Sequence, residues 1–456
     1  MAGTTNGTVI GALTERAMEL RAAPMPSAAA DAAELALVDW LGVTLGGSTG
    51  VPARALLTGL GPLSGASRLA GGGTAPPPLA ALVNGTAAHT LELDDIYAPG
   101  LFHPGAPIIA AALAVADQVR ASGETLLRAV VTGYEVGCRV ATDLGPAHYK
   151  HWHTTGTAGS VGAAAAAAEV LGADEDVFAH ALALAATMAS GLQQTFRSDA
   201  MGKPLHAGNA AHAGVVAVAL AAGGVTGAAD ALEGEAGLGA ASGAPSRWET
   251  CRAPLGSPPA INAVTVKPYP CCGHTFAVID AVLELRAKGL TADDVDRLDV
   301  ATYSTALAVA GIARPRTAAE RRFSIPHLAS LALLDGAVTA AAIESDRKAA
   351  DLRALAEAVR LEADPVFEER FPSRRGARVT AVTRSGKRMT AEVPDRSGSP
   401  QNPLPYERVK QKFLDTAAAV IGTRGPRLLA QVGRLRAGGE VVDLEFAQVS
   451  RSLGAP

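Results

Sequence analysis

A chain of 456 residues is long enough for two or three domains and a large buried core. Hydrophobic residues make up 48% and aromatics only 4%, so the apolar surface is mostly Ala, Leu and Val, which favours closely packed helices over an aromatic-centred core. A formal charge of −4, with no basic cluster interleaved with aromatics, argues against nucleic acid as a partner.

The first residues lack a charged segment followed by an apolar run. Apolar stretches such as 106–116 fall short of the roughly 20 residues that span a bilayer, so no membrane partner is expected. Four cysteines (Cys138, Cys251, Cys271 and Cys272) in so long a chain fit a reducing, cytoplasmic compartment. With no C-x-x-C pair, an iron–sulfur cluster is not expected.

Apolar spacing predicts a helix over 9–22, then a second opened by Ser27 and ended by Gly46–Gly47. Further helices are predicted over 52–60, 78–91, 106–121, 124–144, 156–171, 174–190 and 208–222, with 228–233 completing the series. From about residue 266 the texture changes. Residues 275–285, 324–334 and 351–359 read as helices, 298–305 and 360–363 as strands, and 377–383 with 388–393 as a hairpin around Arg384–Ser385–Gly386–Lys387. The Pro-rich segment 395–405 reads as a linker, after which 406–421 and 427–435 return to helical periodicity. The expected fold is therefore two-domain: a large all-α helical domain over 1–265, a smaller α+β domain over 266–398, and C-terminal helices over 399–456 packing on the helical domain.

The most polar stretch between two Ala-rich helices is 91–107, LELDDIYAPGLFHPGAP. Loops on a rigid scaffold are where chemistry concentrates, and the islands at 151–155, 203–209, 267–274 and 321–327 read as further walls of one pocket. His103 is presented at a helix start, where the dipole and free N–H groups favour a bound carboxylate; the alternative is a loop histidine bonding only backbone. Of Glu92, Asp94 and Asp95, one can cap the loop and another can orient His103 or a lysine.

His148, His151 and His153 lie close in sequence, but no metal-ligand set accompanies them, so no metal is expected. His153 is the acid/base candidate, because Thr154–Thr155–Gly156 then opens a helix; His148 and His151 are expected at the surface. Gly156, Gly159 and Gly162 fit close helix packing better than a dinucleotide loop. Ser160 nearly matches a nucleophile elbow, although no strand leads into it. Lys203, His206 and Asn209, expected just before a helix and joined by Arg197, would suit an anionic substrate. Lys267 and His274 frame KPYPCCGH, in which Cys271 and Cys272 read as small buried residues; a nucleophilic Cys272–His274 pair is the alternative.

Five islands, HTLELDD…FHPGAP, WHTTGTAG, GKPLHAGNAAHAG, KPYPCCGHT and RFSIPHLASLALLDG, occur in the order and spacing of the MmgE/PrpD family, which this chain resembles over nearly its whole length. The family includes 2-methylcitrate dehydratase, cis-aconitate decarboxylase and iminodisuccinate epimerase. The resemblance implies a helical domain with a smaller lid domain, a homodimer, and metal- and cofactor-free chemistry on small carboxylates. By position, His103, His153 and Lys203 would be catalytic with His274, while Glu92, Asp95, Lys267, His206 and His327 would bind substrate. Glu92 stands where the family often has aspartate, Ile96 where threonine is frequent, and His327 where the cis-aconitate decarboxylase group commonly has tyrosine. Those departures count against cis-aconitate itself. The implied reaction is dehydration of a citrate-like hydroxy acid through an enolate-like state, with decarboxylation or epimerisation on the same scaffold as the alternative. A serine hydrolase using Ser160 and a non-catalytic binding relative are the remaining readings.

Overall fold

The computed structural model describes residues 7–198, 200–243, 247–254, 259–345, 350–441 and 444. By internal contacts the chain divides into two units, Met1–Val266 with Pro405–Pro456, and Lys267–Leu404.

The first unit is helical. Its elements are α1 (Val9–Ala22), α2 (Ser27–Ser48), α3 (Val51–Leu60), α4 (Pro77–Thr90), α5 (Gly105–Val119), α6 (Gly123–Tyr149), α7 (Thr154–Leu171), α8 (Glu175–Thr187) and α9 (Gly202–Ala222). A short antiparallel ladder, β1 (Ser67–Arg68) with β2 (Thr74–Ala75), lies between α3 and α4. Helix α7 is the centre: every residue from Thr154 to Val170 is buried, under α5, α6, α8 and α9. A helix that is apolar or small all round can be satisfied only by neighbours on every side. Glycine permits the closest approaches. A Cβ on Gly208 of α9 would lie 2.1 Å from Thr86 Oγ1 of α4, and one on Gly162 of α7 would lie 3.0 Å from the Gly133 carbonyl oxygen of α6.

Several predicted boundaries move. Gly46 and Gly47 do not end α2; they sit inside its last turns, where a Cβ on Gly47 would meet the Ala87 carbonyl oxygen at 2.0 Å. Packing there overrides the usual helix-ending habit of glycine. The break after Leu144 is a kink within α6, at Gly145 (φ 63°) and Pro146. Helix α9 begins at Gly202, so Lys203, His206 and Asn209 occupy its first turns and not a preceding loop. Residues 228–233 form turns, not a helix. Among the described residues α9 alone is long and apolar enough to cross a membrane, and 56% of that window is buried. Helix Tyr406–Ile421 packs on α2: Lys412 pairs with Asp39 at 2.6 Å and donates to the Leu93 carbonyl at 2.8 Å.

The second unit holds a four-stranded sheet of order β4-β3-β5-β6, with β3 Val295–Thr302, β4 Val359–Ala363, β5 Ala377–Thr383 and β6 Arg388–Val393. Strand β3 runs parallel to β4 and antiparallel to β5, and β5–β6 is the predicted hairpin. Alternate residues of β5 are buried, and the apolar face receives helix Phe276–Ala287, against which Ile325–Asp335 packs. The predicted linker is tied down: Asp395 pairs with Arg374 at 2.7 Å, and the Ser397 N–H donates to Asp280 at 2.8 Å.

Candidate active site

Helix α4 ends at Thr90, and Glu92 then takes a left-handed conformation (φ 56°), uncommon for a residue with a Cβ and costing about 1 kcal/mol. That turn sends the next carboxylates back toward the helix. Asp95 Oδ1 accepts the Gly105 N–H at 2.9 Å, capping α5 from ten residues upstream, while Oδ2 accepts from Tyr134 at 2.7 Å. Burial pushes the Asp95 carboxyl up to about 7 despite both hydrogen bonds. With both oxygens engaged, Asp95 ties the loop to α5 and α6.

Asp94 is 2% exposed, with Oδ2 2.7 Å from His89 Nδ1 and 3.4 Å from His103 Nδ1. Burial works to raise its carboxyl, but the two imidazoles outweigh burial and hold it well below the usual range. His89, His103 and Asp94 offer ligand atoms within 4.8 Å of one another. The 2.7 Å contact is a hydrogen-bond length, however, shorter than the separation of about 3.3 Å between ligands on one tetrahedral ion.

His103 is tied to the next wall by its N–H, which donates to Thr155 Oγ1 at 3.2 Å. His153, 1% exposed, precedes the first turn of α7, and its Nδ1 is 3.2 Å from His206 Nδ1 of α9. His89 stacks on His153 with ring centroids 5.5 Å apart. Burial, then the electrostatic influence of His89 and Lys203, hold His153 well below the ordinary histidine value and His206 at about 4. These two rings are therefore neutral at pH 7. Lys203 forms an ion pair with Glu92 and lies 5.4 Å from the Phe196 ring centroid. His103, His153, Lys203, His206 and Glu92 are thus brought together in the helical unit.

Lys267, His274 and His327 belong to the second unit. Lys267 is buried. His327 sits in the first turn of Ile325–Asp335, where burial and then Arg321 lower it to about 4. His274 Nδ1 is 2.8 Å from the Tyr303 hydroxyl, and burial with Arg375 and Arg396 lowers it to about 3. Burial raises the Cys272 thiol, which counts against the nucleophilic Cys272–His274 alternative. Ser160 lies mid-helix and donates to the Gly156 carbonyl at 2.8 Å, so it is no nucleophile elbow. His148 was expected at the surface but is fully buried against Thr157 at 2.8 Å; His151 is exposed as expected.

Sequence reasoning missed His89, Tyr134, Phe196, Tyr303, Arg375 and Arg396. His89 had a local signal: a histidine at the end of an apolar helix, five residues before Asp94. The others meet their partners only through tertiary packing.

The profile of the MmgE/PrpD N-terminal domain matches residues 11–250, and that of the C-terminal domain matches 269–432. The chain is 30% identical over 383 residues to cis-aconitate decarboxylase of Homo sapiens, covering 76% of this chain and 74% of that protein. It is 28% identical over 375 residues to the Mus musculus protein of the same name, covering 76% and 73%. It is 27% identical over 239 residues to the Aspergillus terreus one, covering 49% of each. With both domain profiles matched in order along most of its length, the chain belongs to the MmgE/PrpD family.

Proposed function

We propose that the chain is a lyase that decarboxylates a small unsaturated polycarboxylate of the cis-aconitate type. The observation that carries this reading is the similarity to cis-aconitate decarboxylases across three-quarters of both chains (76% and 74%). It moves decarboxylation ahead of the dehydration expected from sequence. Loss of CO2 from the CH2-carboxylate arm of such an acid leaves an electron pair that forms a new terminal double bond. The old double bond shifts, and its CH carbon takes up one proton. The protein must therefore hold carboxylates, exclude water and deliver a proton to carbon.

The helical cluster has the parts. His103, whose Nδ1 lies 3.4 Å from the Asp94 carboxylate, is assigned the proton delivery, with Asp94 orienting its ring. Lys203 is assigned a substrate carboxylate, exchanging it for Glu92. His153 and His206, neutral and linked through Nδ1, are assigned hydrogen bonding in place of the acid role expected for His153. For Lys267 and His327 of the second unit, carboxylate-binding parts rest on the family resemblance alone. The proposed enzyme works without metal or organic cofactor, as a cytoplasmic homodimer, with neither nucleic acid nor membrane as partner.

Dehydration of a citrate-like acid is the second reading, favoured by Glu92, Ile96 and His327 where the resemblance implies other residues. A proton NMR time course in deuterated buffer, with cis-aconitate, citrate and methylcitrate in turn, separates the two. Decarboxylation releases CO2 and leaves one deuterium on the former alkene carbon. Gain or loss of water supports dehydration, and three inert substrates would overturn both readings.

A further inference from the structure

His274 sits in surroundings unlike those of the other site histidines. Tyr303, at the end of β3, is 1% exposed and stacks on Phe371 with ring centroids 4.6 Å apart at 17°. Phe371 in turn lies under the Arg375 guanidinium, 5.7 Å from the ring centroid. Arg396 is 2% exposed, donates to the Gly273 carbonyl at 2.7 Å and covers the Phe276 ring at 5.7 Å. Among the described residues the charged and titratable groups acting on His274 are Arg375, Arg396, Cys272 and Tyr303, with no carboxylate among them.

The contact between His274 Nδ1 and the Tyr303 hydroxyl at 2.8 Å can run in either direction, and the inventory of donors decides which. Among the described residues the Tyr303 hydroxyl has no other hydrogen-bond partner. If Nδ1–H donated to the phenol oxygen, the buried phenol hydrogen would be stranded, at a cost of about 1–3 kcal/mol. If the phenol donates to Nδ1, both groups are satisfied by one bond. Burial raises the Tyr303 hydroxyl to about 12, so its proton is in place throughout the neutral range.

We propose that Tyr303 is a positioning residue: its hydroxyl donates to Nδ1 of His274 and fixes the ring proton on Nε2, so that His274 meets an anionic ligand as a hydrogen-bond donor. The second unit then presents a donor for a carboxylate or a developing oxyanion, in a field set by Arg375 and Arg396. This gives a definite form to the catalytic part that the resemblance implies for His274. A ring flanked by two guanidiniums, without a carboxylate, is poorly placed to hold a second proton and well placed to polarise an oxygen. The ligand class rests on the polycarboxylate reading above; the tautomer does not.

The test is a long-range proton–nitrogen correlation spectrum of the full chain labelled with 15N-histidine at pH 7. The His274 signals are identified by their loss in His274→Gln. The expected result is a protonated Nε2 and an unprotonated Nδ1 in the wild-type protein, and a shift toward the other tautomer in Tyr303→Phe. A proton on Nδ1 or on both nitrogens in the wild-type chain would overturn the proposal, whether or not the variant folds. Tricarballylate, a saturated tricarboxylate that cannot lose CO2 by the allylic route, is then added. Movement of the Nε2 signal supports the donor role. If the Nε2 signal stays put while other histidine signals move, the donor role is overturned and the tautomer assignment stands; if no histidine signal moves, the polycarboxylate reading is overturned. In turnover, Tyr303→Phe should lower kcat by about tenfold or more while KM changes little.

Discussion

His103 and His274 are both half-buried imidazoles near a helix start, yet their surroundings are opposite. His103 has the Asp94 carboxylate 3.4 Å from its Nδ1, and His274 has a tyrosine hydroxyl there with two guanidiniums nearby. An anion beside an imidazole favours the cation; burial among cations favours the neutral ring. On the assignments proposed above, one residue type is set to two tasks by its neighbours: proton delivery in the helical unit and hydrogen-bond donation in the sheet unit. A histidine's role is read from what faces it, and its spacing in the sequence says little.

The harshest way to break this contrast is Asp94→Asn. The side chain keeps its shape but loses the charge on which His89 and His103 converge. The expected loss is about a hundredfold or more in kcat, the usual range for removing support from an acid/base group. Retained turnover would remove Asp94 from the mechanism. Lys203→Ala comes next, because it takes away the cation and leaves Glu92 without its ion-pair partner. KM should rise and kcat fall together, lowering kcat/KM by about tenfold to a hundredfold. Wild-type kinetics would show that Lys203 holds the loop and not the substrate.

The helical fold was legible because its signals are local. Apolar periodicity, Pro and Gly breaks, and the Arg384–Lys387 hairpin turn need no partner to be recognised. What failed was anything decided by the approach of a second helix. Gly46–Gly47 read as a stop because nothing local in the chain shows that Thr416 lies against Gly46 and Ala87 of α4 against Gly47. The start of α9 was placed late because Pro204 and Gly208 look like breakers, although proline is well accommodated in a first helical turn and Gly208 admits Thr86. The site divides the same way. His103, His153 and Lys203 stood out as polar residues in apolar context, while Tyr303 and Arg396 looked like ordinary strand and loop residues until packing joined them to His274.

His148 gives the contrast a reference point, since burial alone lowers it to about 4. Its neutral form is favoured in the folded chain and not in the unfolded one, where histidine titrates near 6.5. The stabilisation it contributes is therefore fully present above about pH 6.5 and is lost as pH falls through about 4. Between pH 6.5 and 4.5 the wild-type unfolding free energy should fall by about 2 kcal/mol more than that of His148→Gln. Urea titrations at the two pH values measure it. Equal losses in both proteins would mean that His148 is not the neutral buried ring described here.

The smallest effect belongs to Ser160, and it guards the whole assignment. A serine hydrolase would need this hydroxyl exposed on a strand-to-helix turn, beside a base. Ser160 is instead 0% exposed in the middle of α7, and its proton is committed to the Gly156 carbonyl one turn back. Such back-bonding within a helix contributes little, so Ser160→Ala should change stability by no more than about 1 kcal/mol. Turnover should stay within about twofold of wild type, because no step proposed above passes through the hydroxyl. Labelling of Ser160 by a fluorophosphonate, or loss of activity in the alanine variant without loss of fold, would transfer the chemistry from the histidine cluster to α7. The contrast between His103 and His274 would then describe packing, not catalysis.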